Sequence, residues 1–82
     1  MDKENIFGER VFLLRKVKGL TQKELGDEVG LSYKAISTIE SGARGTSVEK
    51  LIELAVYFQV STDYLLGITD DPTWRGNPKE RK

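Results

Sequence analysis

The sequence predicts an all-α domain of five short helices, and three observations carry that prediction. Apolar residues recur at steps of three and four, the period of a helix with one buried face. Hydroxyl residues able to accept from unpaired amides stand ahead of the stripes, and glycines follow them at Gly19, Gly30, Gly42 and Gly67. No segment reads as a strand.

The first helix runs from Asn5 to Lys18, with Phe7, Val11, Leu14 and the aliphatic stem of Lys18 on one stripe. Gly19 ends it, and Lys16 and Lys18 stand against its negative end. Thr21 and Glu24 form a capping box for the second helix, where Leu25 and Val29 face inward and Gly30 turns a tight corner. Ser32 caps a third helix through Ile36, Ile39 and Glu40, closed by Ser41 and Gly42. Thr46 with Glu49 reads as another capping box, opening a fourth helix with Leu51, Leu54, Ala55 and Phe58 inward and an end near Gln59. Ser61 or Thr62 caps a last short helix containing Tyr64, Leu65 and Leu66, which stops at Gly67.

Eighty-two residues with 38% apolar content support one core, placed here in residues 1–67. From Ile68 to Lys82 the periodicity is lost and both prolines appear, so residues 68–82 read as an irregular tail. Cysteine and histidine are both absent, which removes disulfides, thiolate metal sites and histidine acid–base chemistry. Composition therefore argues against an enzyme, and no cofactor or metal is expected. No apolar run approaches the roughly 20 residues of a membrane span, and the polar N-terminus is not a signal peptide, so a soluble, cytoplasmic protein is expected. Thirteen basic and thirteen acidic residues leave no net charge, which shifts the question from total charge to the potential of one face.

Two short helices joined at Gly30, the second starting at Ser32, have the spacing of a helix-turn-helix. On such a corner the second helix protrudes, and side chains near its N-terminus can enter the major groove of a duplex. Those side chains are Tyr33, Lys34, Ser37 and Thr38. Tyr33 is informative because Leu31 and Ile36 already supply the inward contacts, so packing does not account for a large aromatic there.

The segments TQKELGDEVG, LSYKAISTIESG and LIELAVYFQVSTDYLLG together resemble the Cro/CI-type, or XRE, family of helix-turn-helix transcriptional regulators. The likeness covers residues 6–67, with Thr21, Gln22, Leu25, Gly30, Ile36, Ser37, Glu40, Gly42, Leu51, Leu54, Ala55, Leu65 and Leu66 at the family's spacing. It implies a five-helix, lambda-repressor-like DNA-binding domain. It also implies that Gln22 holds a backbone phosphate and braces the recognition helix, while Ser32, Tyr33, Lys34, Ser37 and Thr38 face the groove. Lys34 suits guanine O6 and N7, Tyr33 a base edge, thymine methyl or phosphate, and Thr38 several bases. Arg44 and the opening of helix four at Thr46 and Ser47 are placed for flanking phosphates. Ser32 is equally explained by its capping role alone.

By the same resemblance Arg15 and Glu40 form a buried structural ion pair. A homodimer on a palindromic double-stranded operator is implied as well, its half-sites about 34 Å apart. The family's dimer contacts around the last helix point to Thr62 and Tyr64, with Trp74 as a further anchor or as a residue folded back on its own domain. Two positions depart from the family pattern. Gly26 stands where alanine is usual, at about 0.5–1 kcal/mol of helix propensity, and Thr46 where proline commonly opens helix four, which together imply modest stability. The rival readings are a DNA-binding antitoxin that holds a protein partner through the tail, and the controller of a restriction system.

Overall fold

The computed structural model describes residues 5–74, and among these the five expected helices form with no strand. They are α1 (Ile6–Val17), α2 (Gln22–Val29), α3 (Tyr33–Ser41), α4 (Val48–Phe58) and α5 (Thr62–Leu66). Residues 75–82 of the expected tail lie outside the described residues.

Local signals set most of the boundaries. Thr21 accepts from the Glu24 amide at 3.0 Å while the Glu24 carboxylate accepts from the Thr21 amide at 2.8 Å, completing the capping box of α2. Ser32 accepts from the Ala35 amide at 3.1 Å and opens α3. Between Ser61 and Thr62, the cap of α5 is Ser61, whose hydroxyl accepts from the Tyr64 amide at 3.0 Å.

Helix α4 corrects one expectation. It begins a residue late, with Ser47 rather than Thr46 as its cap and the Ser47 hydroxyl accepting from the Lys50 amide at 3.1 Å. Two adjacent hydroxyl residues can each serve, and extended backbone at Ser47 settles the choice. The Thr46–Glu49 capping box therefore does not form.

Helix α3 packs against α1 and α2, α4 against α2 and α5, and α5 back on α1, which closes a ring of helices around one core. Its members are Val11, Leu25, Val29, Ile36, Ile39, Leu54, Ala55, Phe58, Val60 and Leu65. Each large side chain buried there contributes about 1.5–3 kcal/mol, so the core rather than helix propensity holds these five- to twelve-residue helices. Phe7, Leu14 and Leu51 pack on its edge, while Lys18 leaves the α1 stripe and lies exposed with its ammonium 5.2 Å from the Tyr57 ring.

Gly26 also changes meaning in the fold. A Cβ there would stand 2.2 Å from the Leu31 carbonyl oxygen, because the chain leaving α2 doubles back over it and the Leu31 amide donates to the Gly26 carbonyl at 2.8 Å. The lost propensity permits the tight corner and is not a defect that alanine would repair.

Beyond Gly67 the chain is irregular through residue 74, yet held. Arg10 donates to the carbonyls of Tyr64 and Thr69, pairs with Asp70 at 2.7 Å and stacks over the Tyr64 ring at 4.1 Å. The Ser61 amide meets the Pro72 carbonyl at 3.3 Å, which returns this segment to the opening of α5. Among the described residues no helix is long and apolar enough to cross a membrane.

Candidate nucleic-acid interface

The corner between α2 and α3 decides what α3 can present. Gly30 adopts the left-handed conformation at φ 73°, ψ 35°, which ends α2 and swings the chain into Ser32. Helix α3 then buries Ile36 and Ile39 and turns Tyr33, Lys34 and Ser41 outward, with Ser37 and Thr38 half-buried between the two faces. Tyr33 is 61% exposed, in keeping with its expected place outside the core.

Beside α3 lies an open surface hollow of about 470 Å³. One wall is Ser32, Lys34, Ala35 and Thr38; the other is Arg44, Gly45 and Thr46 from the loop that leads to α4, with Leu31 and Ile39 at its base. The fold thus gathers five of the eight side chains expected to contact DNA around one depression. Lys34 and Arg44 form no ion pair among the described residues. Asp27 is paired with Lys23 at 3.1 Å and Glu53 with Lys50 at 3.3 Å, while Glu28 and Glu49 form no ion pair among the described residues. Among the described residues the hollow is thus lined by two cations, Lys34 and Arg44, that no carboxylate holds.

The remaining expected residues sort by what holds them. The Thr38 hydroxyl donates to the Ala35 carbonyl at 2.9 Å, so its oxygen is left as an acceptor. Gln22 is away from the hollow; its side-chain amide donates to Glu40 Oε1 at 3.1 Å, leaving a second N–H for another acceptor. Thr62 opens α5 half-buried, and Tyr64 is half-buried beneath Arg10. Trp74 is half-buried, two residues beyond the contact that returns the tail to α5.

Arg15 and Glu40 meet as expected. Arg15 Nε and Nη2 reach the two Glu40 oxygens at 2.6 and 2.9 Å, with the side chains only 8% and 6% exposed. Arg15 Nη1 also donates to the Leu20 carbonyl at 2.8 Å, so the guanidinium joins α1, the α1–α2 turn and the C-terminal end of α3. The Glu40 hydrogen bonds raise the Arg15 pKa above its ordinary value, against a smaller opposing effect of burial. A cation held above its unfolded value contributes stability that deprotonation removes only as pH rises through the folded value, here in strong alkali.

Sequence reasoning missed three positioning groups. The Asn5 amide donates to the Glu40 backbone carbonyl at 3.2 Å instead of capping α1. Arg10 donates to the carbonyls of Tyr64 and Thr69, and no local pattern announces partners more than fifty residues away. Lys50, in the first turn of α4, donates to the Val29 carbonyl at 2.8 Å. The available signal for Lys50 lay in α2, whose last turn carries Asp27 and Glu28 but no basic residue.

Comparison with known proteins shows the family and the fold. A family model described as helix-turn-helix matches residues 13–65. The transcriptional regulator YobD of Bacillus subtilis, named as HTH-type, is 36% identical over 78 residues; the alignment covers 94% of this chain and 66% of that protein's length. The P22 c2 repressor, solved in complex with a synthetic operator, superposes with a TM-score of 0.71 at 40% identity, covering 73% of this chain and 91% of that one. The restriction-modification controller C.AhdI of Aeromonas hydrophila superposes with a TM-score of 0.68 at 31% identity, covering 76% and 94%.

Proposed function

We propose, from the premise that this chain belongs to the helix-turn-helix family of the Cro/CI kind, that it binds double-stranded DNA sequence-specifically in the cytoplasm and regulates transcription, most simply as a repressor. The observation that carries this reading is the hollow in which Lys34 and Thr38 of α3 face Arg44 and Thr46 of the next loop, with both cations uncommitted. The N-terminal half of α3 enters the major groove, where Tyr33, Lys34 and Thr38 meet base edges and Ser37 lies against the rim. Arg44, Thr46 and the free N–H of Gln22 take phosphates and fix register, while Ser32 opens the helix and presents its hydroxyl to the backbone.

One such helix reads only a few base pairs, so the operator is a palindrome bound by two copies. Thr62, Tyr64 and Trp74 are the proposed contact between them; the bond from the Ser61 amide to the Pro72 carbonyl, which returns the tail to the opening of α5, supports grouping them. The likeness to C.AhdI supports a second reading, control of a restriction system, which the position of the operator would separate. In an antitoxin the partner would be a protein bound through the tail.

Selection from a random duplex library tests the proposal. It predicts one enriched palindrome with half-site centres about 34 Å apart, bound with a modest salt slope. Weak, salt-sensitive binding without enrichment would move the function to a protein partner.

A further inference from the structure

Resting on that DNA-binding reading, we infer that Lys50 is a positioning residue: through the end of α2 it fixes where the N-terminus of α3 meets DNA. Helix α2 ends on carbonyls that need donors, and its last turn has acidic residues but no cation of its own. The Gly26 carbonyl takes the amides of Gly30 and Leu31, and the Val29 carbonyl takes Lys50 Nζ at 2.8 Å. The ammonium supplies from α4 the positive charge that the end of α2 lacks.

The space for this contact is specific. A Cβ on Gly30 would lie 2.9 Å from Lys50 Nζ, so the glycine that makes the turn also admits the ammonium. The Lys50 side chain is 28% exposed, and Glu53 holds the same nitrogen at 3.3 Å. The bond links the first turn of α4, which follows the Arg44–Thr46 wall, to the residue just before the Gly30 corner. The bond thus ties the segment that follows one wall of the hollow to the corner that leads into the other, without Lys50 lining it.

The test uses the whole chain with Lys50→Met, which keeps the stem and removes the charge, and with Lys50→Arg. Affinity for the selected operator and its salt slope are measured alongside hydrogen exchange at the Leu31 amide. Expected for Lys50→Met are a loss of about tenfold, the size of one charge-assisted hydrogen bond, an unchanged salt slope and faster exchange at Leu31. Lys50→Arg restores most of the affinity. A salt slope lower by about one identifies Lys50 as a phosphate contact and overturns the inference, as does unchanged affinity. Failure of Lys50→Met to fold also overturns it, because the bond then serves the fold and not the placement. Should wild type select no DNA, the functional reading fails separately, and Leu31 exchange alone still decides whether Lys50 holds the corner.

Discussion

The two ends of the recognition helix α3 are held in opposite ways. At its C-terminal end Glu40 sits in a buried set of charge-assisted bonds from Arg15 and Gln22. At its N-terminal end the polar support is a hydroxyl cap and, across the corner from α2, one partly exposed ammonium on the Val29 carbonyl. Removing one partner of a buried pair strands a charge in a poor solvent, whereas a half-exposed cation is replaced by water at little cost. The first end therefore holds the fold and the second tunes the site.

The largest effect is expected at the buried end. Glu40→Ala should lower unfolding free energy by about 3–5 kcal/mol in urea titrations, and DNA binding should fall through loss of folded protein. Replacing both partners, as Arg15→Met with Glu40→Leu, should recover part of that loss, since the stranded charge is removed. Stability of Glu40→Ala equal to wild type would mean that the two ends do not differ.

Next comes the corner. Gly26→Ala should destabilise by about 1–3 kcal/mol, because the added methyl meets the Leu31 carbonyl. Helix propensity alone predicts a gain of about 1 kcal/mol, so the sign of the shift in thermal midpoint distinguishes the two. Ser32→Ala should lose about 1 kcal/mol by the same measurement, the ordinary worth of an N-cap. Smallest is Lys50→Met, at about 0.5–1 kcal/mol in stability. Its larger mark should be on operator affinity, which makes the ratio of binding loss to stability loss the sharpest contrast between the two ends.

What could be read in advance follows the range of the interactions. The capping box at Thr21, the cap at Ser32 and the glycine stops are local, and all five helices were legible from them together with the apolar period. The start of α4 was misplaced by one residue because Thr46 and Ser47 are chemically equivalent caps and only backbone geometry separates them. Gly26 was legible as an oddity but not as a necessity, since the atom that excludes a methyl belongs to the chain beyond the turn. The hollow was half legible: family resemblance pointed to Lys34, Thr38, Arg44 and Thr46, while their arrangement across two walls needed the fold. Arg10 was not legible, and for Lys50 only the need for a cation at the end of α2 was, because the partners of both are set by how helices cross and not by spacing along the chain.

The most direct test of the central claim, that the outer face of α3 reads sequence, compares Lys34→Ala with wild type on the selected operator and on random duplex of equal length. The account predicts a loss of about 1–3 kcal/mol on the operator, little change on random duplex beyond one charge, and an unaltered thermal midpoint. Equal losses on both duplexes would contradict it, showing Lys34 to be a general cation and leaving the specificity to be sought elsewhere on the protein.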